Sequence, residues 1–450
     1  MHLVIIGNGV TGTTVARYVR KVKDWDISII SSETKHFYSR TALMYIYMGH
    51  MKYEHTKPYE DWFWEENDFN LIYDHVTKIN TDQKQLELRE GDPVSYDKLV
   101  VATGSQPNKF GWPGQDLKGV QGLYSMQDLE NMEKYTQDID RAVIVGGGLI
   151  GIEVAEMLHT RNIPVTFLVR ETNYWDNALP VDEAKMVTRE IRKHHMDLRL
   201  ERNLREILPD ENGRARAVVV DETDEEIPCE FVALTPGVHP NLEIVEPTNI
   251  ETQKGVMVNR HFETNVEDVY AAGDCAQFRE VPEGDPPIEQ LWYTGKMQGE
   301  CLARNLCGQR KAYDRGIWYN SAKFMTIEWH TYGRVPSECP EDCETFCWEH
   351  PEENLLMRIN YKKSDRSVTG FNSFGIRLRQ NVCQQWIDEN KTIEYVLEHL
   401  GEANFDPEFY KEYEPQIIEE YNRLNPDKKI ELKRRRGLFG LFQFKNKLTA

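Results

Sequence analysis

The first thirty residues read as a buried strand, a glycine-rich turn and an amphipathic helix. Leu3 to Ile6 is a continuous apolar run, and the turn GNGVTG follows it directly. Four apolar residues then recur at helical spacing: Val15, Tyr18, Val19 and Val22. A second apolar strand spans Asp26 to Ile30. The pattern predicts a βαβ unit that begins a parallel sheet.

The same pattern returns at Arg141, in AVIVGGGLIGIEVAEMLHTRNIPVTFLVRE. It predicts a strand at 142–145, a glycine turn, a helix at about 150–160 and a strand at 165–169. From about Gly316 the pattern changes to aromatic-rich strands, followed by helices around 381–398 and 407–424. We therefore predict the α/β class, with two Rossmann-like dinucleotide-binding domains and a C-terminal α+β domain.

The first glycine turn is typical of a phosphate-binding site. Gly7 permits the turn out of the strand, Gly9 lets a pyrophosphate approach the backbone, and Gly12 lets the helix pack on the strand. The helix N-terminus adds unpaired N–H groups and a partial positive charge. Glu33, just past the second strand, is placed to accept hydrogen bonds from a ribose diol.

The second turn, GGGLIG, repeats these three roles with Gly146, Gly148 and Gly151. Two such units imply two dinucleotides and electron transfer between them, for which a nicotinamide and a flavin are the natural pair. Two neighbouring residues after the following strand leave the choice of nicotinamide nucleotide open. Glu171 favours the free diol of NADH, whereas Arg170 suits the 2′-phosphate of NADPH.

Composition and charge narrow the function further. The 450 residues are 40% apolar, a globular balance, and carry a formal net charge of −20. An acidic surface repels phosphate backbones, so nucleic-acid binding is disfavoured. No apolar stretch is long enough to span a bilayer, and residues after Met1 do not resemble a secretory signal. We expect a cytoplasmic protein.

Four motifs in order carry a family resemblance: GNGVTG, VVATGSQP, GGGLIGIE and TNVEDVYAAGDCA. Together they resemble the two-dinucleotide-domain flavoproteins that include the pyridine nucleotide-disulfide reductases. The branch of ferredoxin, rubredoxin and nitrite reductase flavoprotein components is more similar still, because FYSRTALMYIYMG at 37–49 looks like its segment after the flavin ribose site. The resemblance covers about residues 1–335. It implies FAD on the first glycine turn and NAD(P)H on the second.

The resemblance also implies cofactor contacts for individual residues. Arg40 matches the flavin-contacting arginine of that branch. Asp274, which follows Gly273, would hydrogen-bond the FAD ribityl chain, and Thr103 and Gly104 would line the nearby crossing of the two domains.

Two residues are the candidates for the catalytic centre. Glu153, in the family's IGxE motif, would lie near the nicotinamide and flavin N5. Trp292 falls where relatives place an aromatic residue beside the isoalloxazine, with an ordinary core aromatic as the alternative.

The implied organisation has three domains and a tail. The boundaries are 1–112 and 245–312 for the FAD domain, 113–244 for the NAD(P) domain, 313–425 for the C-terminal domain, and 426–450 for a basic and hydrophobic tail. In relatives the third domain often covers the flavin or forms a dimer contact, so a homodimer stays open.

The cysteines mark a departure from the disulfide reductases. Those enzymes carry a redox cysteine pair where this chain has SRTALM, and its first cysteine is Cys229. Without a thiolate beside the flavin, disulfide reduction is disfavoured. We expect electrons to pass directly to an acceptor protein of the ferredoxin or rubredoxin kind. The cluster at Cys339, Cys343, Cys347 and His350 lacks the usual CxxC spacing, which favours free thiols over a metal site.

The end of the chain is electrostatically distinct. Residues 428–450 hold eight Lys and Arg against one acid, interleaved with Leu and Phe. Such a tail suits a membrane surface or a partner, or a terminus that is disordered or docks on the acidic body. Two alternative functions remain. One is a membrane-associated NAD(P)H:quinone reductase, although YTGKMQG lacks that family's Gln- and Ala-rich segment; the other is a redox-sensing interaction protein resembling apoptosis-inducing factor.

Overall fold

The computed structural model describes residues 1–282, 284–406 and 411–433. Its contacts divide the chain into two compact units. The first unit holds Met1–Arg170 and Met196–Arg315, and the second holds Glu171–His195 and the described part of Gly316–Ala450. The predicted division into three domains with a tail stays a prediction.

The strands and helices are numbered in chain order. The strands are β1 His2–Ile6, β2 Asp26–Ser31, β3 Phe69–Tyr73, β4 Val76–Asn80, β5 Gln85–Leu88, β6 Val94–Ser95, β7 Lys98–Val101, β8 Ser105–Pro107, β9 Val120–Gln121, β10 Ala142–Val145, β11 Val165–Val169, β12 Asp197–Leu200, β13 Leu204–Pro209, β14 Ala215–Val220, β15 Glu226–Pro228, β16 Phe231–Leu234, β17 Val238–Pro240, β18 Val256–Val258, β19 Val269–Ala271, β20 Ala276–Phe278, β21 Tyr319–Phe324, β22 Ile327–Gly333, β23 Cys343–Glu349, β24 Leu356–Lys362 and β25 Val368–Phe374. The helices are α1 Val10–Arg20, α2 Leu43–Tyr47, α3 Asp61–Glu66, α4 Met126–Tyr135, α5 Leu149–Thr160, α6 Val181–Lys193, α7 Trp292–Leu306, α8 Gln380–Asp388, α9 Ile393–Glu398 and α10 Glu414–Leu424, with short 3₁₀ turns at Arg40–Ala42, Tyr53–Thr56 and Leu400–Glu402.

The first unit contains two five-stranded parallel sheets. Their strand orders are β19-β7-β1-β2-β3 and β12-β11-β10-β16-β9. In each sheet the central strand, β1 or β10, leads through a glycine turn into a helix and then into the neighbouring strand. These strands are apolar and almost wholly buried, as expected for parallel strands covered on both faces. The predicted α/β class with two Rossmann-like units is confirmed.

Glycine is required where each central strand ends. Gly7 and Gly146 have φ of +110° and +119°, which disfavour any residue with a Cβ. A Cβ on Gly7 would lie 2.1 Å from the Ala102 carbonyl oxygen, and one on Gly146 would lie 2.6 Å from the Thr235 carbonyl oxygen. The two turns are therefore built alike, because in each a backbone carbonyl just after a neighbouring strand leaves no room for a Cβ.

Some predicted boundaries need correction. Helix α1 ends at Arg20, so Val22 lies beyond it and is exposed rather than on a buried helix face. The helix predicted around 381–398 is two helices, α8 and α9, because residues 389–392 form a turn with Asn390 at φ +51°. The VVATGSQP motif, residues 100–107, contains the end of β7 and the whole of β8, which belong to different sheets.

The second unit is built on an antiparallel sheet of order β21-β22-β25-β24-β23. Helices α8, α9 and α10 contribute to its apolar core, with Trp386, Leu397 and Ile417 buried in the same cluster as Phe371. Helix α6 also belongs to this unit. Arg358 on β24 donates to Glu183 at 2.6 Å and to Asp182 at 2.7 Å, which satisfies a buried charge. The predicted C-terminal α+β unit is confirmed.

Candidate functional site

The first unit encloses a cavity of about 820 Å³ at the carboxyl ends of its parallel strands. Ile6, Ser31, Ala102 and Ala272 line it, and these residues end or directly follow β1, β2, β7 and β19. Ligands of open parallel sheets bind at this edge. The volume falls in the upper part of the range of about 300–1,000 Å³ that small-molecule and cofactor sites occupy.

The first glycine turn forms one wall of the cavity. Gly7 and Gly9 line it, and Gly9 is the N-cap of α1 without a capping side chain. A Cβ on Gly9 would meet nothing within 4 Å, so the helix N-terminus faces open space. Gly12 lies one turn further and packs on Gly7, where its Cβ would be 2.1 Å from the carbonyl oxygen. An unblocked helix N-terminus suits a pyrophosphate.

Glu33 and Arg40 lie together on another wall. Arg40 donates two hydrogen bonds to the Glu33 carboxylate, from Nη1 to Oε1 at 2.9 Å and from Nη2 to Oε2 at 2.6 Å. The Tyr38 hydroxyl and the Met126 N–H also donate to this carboxylate. Burial favours the neutral acid, but the Arg40 charge and these hydrogen bonds hold the pKa of Glu33 below its ordinary value. Oε1 accepts three hydrogen bonds and Oε2 one, which leaves room at Oε2 for a ligand hydroxyl.

Asp274 lines the cavity beside Thr103 and Gly104, and Gly273 precedes it. Ser105 Oγ donates to Asp274 Oδ2 at 3.1 Å, and the Tyr124 hydroxyl makes a longer contact of 3.4 Å with the same oxygen. Burial raises the pKa of Asp274, opposed by these two hydrogen bonds and by the charge of Arg40. A carboxylate with limited protein partners in a cavity can accept hydrogen bonds from ligand hydroxyls.

Glu153 enters the cavity from the helix of the second glycine turn. It lies on α5 and lines the same cavity as Ile150. Within the described part of the chain, no hydrogen bond or ion pair reaches its carboxylate. Burial, reinforced by the charge of Glu156, raises the pKa of Glu153 to about 7. Such a group exchanges its proton at physiological pH.

Trp292 lines the cavity as the first residue of α7. Its side chain is partly exposed, and its ring meets Tyr293 edge-on at 5.7 Å between centroids. The alternative of an ordinary core aromatic is not met, because the residue is 36% exposed.

The remaining predicted residues do not line this cavity. Gly146, Gly148 and Gly151 form the second turn, with Gly148 as the N-cap of α5. Strand β11 ends at Val169, so Arg170 and Glu171 follow it, the arginine exposed and the glutamate partly so.

Strand register places Glu33 and Glu171 at equivalent positions in the two βαβ units. Ile6, the last residue of β1, pairs with Ile30, and Glu33 comes three residues later. Val145, the last residue of β10, pairs with Leu168, and Glu171 comes three residues later. The register thus aligns the acid, not Arg170, with the residue expected to meet a ribose.

Cysteine is missing from the described lining of the cavity. All eight cysteines are free, and Cys275, the neighbour of Asp274, is buried and directed at the Val101 and Ala272 carbonyls. Burial raises the pKa of Cys347, on β23, to about 12. The described residues contain no group of His, Cys, Asp and Glu arranged to hold a metal ion.

Sequence reasoning missed several polar residues of the cavity. Tyr38, Tyr124 and Gln290 line it, and Gln290 donates to Ser105 Oγ at 2.8 Å. Tyr38 and Ser105 stand inside quoted motifs and could have been found there. Tyr124 lies in a loop, with no periodicity or motif to mark it.

Helices long and apolar enough to cross a bilayer do not occur among residues 1–282, 284–406 and 411–433. Most of the basic and hydrophobic tail, residues 434–450, lies outside the described residues.

The chain is similar to proteins named as an electron transfer subunit and an oxidoreductase. It is 28% identical over 311 residues to the assimilatory nitrate reductase electron transfer subunit of Bacillus subtilis, a match that covers 68% of this chain and 39% of that subunit. It thus spans about two fifths of the length of that relative. It is 25% identical over 406 residues to the NADH-rubredoxin oxidoreductase of Clostridium acetobutylicum, covering 88% of this chain and 99% of the relative.

A solved structure shares the fold. The ferredoxin reductase for the CYP199A2 system of Rhodopseudomonas palustris superposes with a TM-score of 0.75 at 22% identity, covering 83% of this chain and 91% of that one. The family model described as pyridine nucleotide-disulphide oxidoreductase matches residues 1–299, which is more than half of the chain. With both glycine turns inside that match, this chain belongs to the pyridine nucleotide-disulphide oxidoreductase family.

Proposed function

We propose that this chain is an FAD-dependent NAD(P)H oxidoreductase that passes electrons on to an acceptor protein. The observation that carries the proposal is the single cavity that gathers a bare helix N-terminus, Asp274 and Glu153, with no cysteine in its described lining. The flavin would accept a hydride from the nicotinamide and release its electrons singly. The relatives named as a rubredoxin oxidoreductase and an electron transfer subunit support this reading.

The lining residues fit FAD along its length. Gly7, Gly9 and the α1 N-terminus would hold the pyrophosphate. Glu33 would accept hydrogen bonds from the adenosine ribose, and Arg40 would contact the flavin nucleotide. Asp274 would accept hydrogen bonds from ribityl hydroxyls. Thr103, Gly104 and Gly273 would shape the backbone beside it.

Glu153 would hold a proton near the reacting ring atoms. Among the residues that the structure describes, its carboxylate has no hydrogen-bond partner. Its pKa of about 7 means that the neutral form predominates below that pH. A neutral carboxyl group does not oppose negative charge that builds up nearby during hydride transfer. We therefore propose that Glu153 favours transfer when protonated, while Trp292 bounds the ring site and limits access of water.

The second glycine turn would hold the nicotinamide nucleotide. Gly146, Gly148 and Gly151 supply the phosphate turn, and the register of Glu171 with Glu33 supports NADH over NADPH. Arg170, one residue earlier, would lie out of register for the ribose.

The acceptor is proposed to be a small redox protein rather than a disulfide. A disulfide substrate needs a thiolate beside the flavin, and the described lining has none. The experiment supplies NADH anaerobically and offers rubredoxin, ferredoxin, a disulfide or a quinone. We expect rapid reduction of one of the two proteins and negligible turnover of the disulfide; the reverse order would contradict the proposal.

The tail allows a second test. If residues 428–450 anchor a quinone reductase, a chain ending at residue 427 should lose quinone turnover and vesicle binding together. We instead expect the shortened chain to keep NADH-driven flavin reduction and reduction of a soluble acceptor protein. Slow flavin reduction with a nucleotide-driven change of oligomeric state would favour the redox-sensing interaction protein. Sedimentation of the full-length protein with and without NADH measures that change and also shows whether the chain forms a homodimer.

A further inference from the structure

Tyr124 touches two walls of the cavity. It stands in the loop between β9 and α4, and it lines the cavity although no motif marks it. Its hydroxyl faces the turn that holds Asp274, and its ring faces Arg40.

The hydroxyl is fixed against the turn after β7. The Ser105 N–H donates to the Tyr124 hydroxyl oxygen at 2.9 Å, and that hydroxyl is 3.4 Å from Asp274 Oδ2, to which it can donate. Gly104, at φ +73°, lies directly beneath it, since a Cβ there would come 2.7 Å from the hydroxyl oxygen. Gly104 is thus needed both for its backbone conformation and for the space that the phenol fills.

The ring and backbone of Tyr124 hold Arg40. The guanidinium carbon lies 4.3 Å from the ring centroid, within the range of a cation–π contact, and Arg40 Nη1 donates to the Tyr124 carbonyl oxygen. The other side of the same guanidinium grips Glu33. One tyrosine therefore links Glu33 and Arg40 to Ser105 and Asp274.

We propose that Tyr124 is a positioning residue for FAD, which holds the Asp274 carboxylate with its hydroxyl and the Arg40 guanidinium with its ring. This inference rests on the proposed function, because it takes FAD as the occupant of the cavity. The hydroxyl and the ring make separable contributions, so two substitutions can tell them apart.

The hydroxyl also affects how FAD binding depends on pH. Burial raises the pKa of Asp274, while the Ser105 and Tyr124 hydrogen bonds and the Arg40 charge lower it. Ionised Asp274 accepts hydrogen bonds from ribityl hydroxyls and the protonated acid does so less well, so FAD release should accelerate as pH falls through that pKa. The Arg40 charge and three hydrogen-bond donors lower the pKa of Glu33, the other cavity carboxylate beside Arg40. Removing the Tyr124 donor should move the onset of release to higher pH.

The test follows FAD release from the purified full-length holoprotein by recovery of flavin fluorescence between pH 5 and pH 8. Tyr124→Phe is expected to release FAD about fivefold faster at pH 7, roughly the effect of one hydrogen bond, with its acid onset at higher pH. Tyr124→Leu also loses the ring contact and is expected to release faster still. Tyr96→Phe is the matched control, because the buried Tyr96 hydroxyl has no hydrogen-bond partner in the described part of the chain and lies outside the cavity lining.

The outcomes separate the two proposals. A Tyr124→Phe protein whose rate and acid onset match wild type and Tyr96→Phe would overturn the positioning role. Faster release with an unchanged acid onset would also overturn it, since loosened packing alone produces that result. A wild-type protein without FAD overturns the proposed function and this inference together, whereas a flavin-bound wild type leaves the variants to decide.

Discussion

The two glycine turns share a backbone and differ in their surroundings. Gly7 and Gly146 take nearly the same φ, and each acid, Glu33 or Glu171, follows its paired strand residue by three positions. Around the first turn, however, Arg40, Tyr38 and the Met126 N–H already engage the acid inside a cavity. Around the second turn, Arg170 is exposed and the acid partly so.

This difference is what we expect if the first turn binds a resident FAD and the second binds a nucleotide that exchanges. A resident cofactor benefits from a preorganised cavity, because fixed side chains lower the cost of ordering on binding. A nucleotide that must leave after each turnover benefits from a more open strand end. The helix after the second turn also serves the first site, since α5 contributes Ile150 and Glu153 to the cavity lining.

The largest effect is expected from one methyl group placed in each turn. Gly7→Ala forces a Cβ to 2.1 Å from the Ala102 carbonyl oxygen, and we expect the protein to lose bound FAD. Gly146→Ala brings a Cβ to 2.6 Å from the Thr235 carbonyl oxygen, and that protein should stay yellow but lose most NADH-driven reduction. Absorbance of the purified proteins and reduction by dithionite check the pair; equal FAD loss in both variants would contradict distinct roles.

Glu153→Gln tests the residue that α5, the helix after the second glycine turn, contributes to the cavity. Wild-type flavin reduction by NADH should slow as pH rises through about 7, because the carboxyl group ionises. Glutamine stays neutral, so its pH profile should be flat and its rate at pH 8.5 roughly tenfold above wild type. Stopped-flow reduction over pH 6 to 9 measures both. A wild-type profile already flat across pH 7 would remove Glu153 from the mechanism.

Nucleotide preference tests the register argument. Glu171→Ala should reduce the preference for NADH over NADPH by up to about tenfold, equivalent to about 1.4 kcal/mol. Arg170→Ala should leave the preference unchanged. Rates of flavin reduction at limiting NADH and NADPH give the ratio, and the opposite assignment follows if only the arginine substitution changes it.

The smallest effect is expected from a substitution of Arg40, the partner of Glu33. Arg40→Lys keeps the charge but cannot grip Glu33 with two nitrogens, so FAD should bind a few-fold more weakly. Fluorescence titration of FAD into flavin-free protein measures this change. An unchanged affinity would mean that the bidentate pair does not organise the adenosine end.

Local patterns were enough to predict the sheets and much of the candidate site. Apolar runs followed by glycines identified β1, β10 and both turns, because the backbone requirement lies in consecutive residues. The motifs also led to Asp274, Glu153 and Trp292, which do line one cavity.

Long-range contacts could not be read from those patterns. Tyr124 reaches Asp274 across 150 positions of the chain, and no periodicity reports such a contact. The ion pair between Glu33 and Arg40 was not predicted for another reason. The motifs link Glu33 to a ribose and Arg40 to the flavin, and neither motif indicates that the two side chains meet. The choice between Arg170 and Glu171 as the ribose contact depends on the pairing of β10 with β11, which only the structure supplies.

The central claim is that the first glycine turn binds FAD and the second binds the nicotinamide nucleotide that reduces it. Its most direct measurement is an anaerobic titration of the purified full-length protein with NADH while the flavin absorbance is recorded. The account predicts close to one FAD per chain and complete bleaching by one equivalent of NADH. A protein that cannot be loaded with FAD, or whose bound flavin is bleached by dithionite but not by NADH or NADPH, would contradict it.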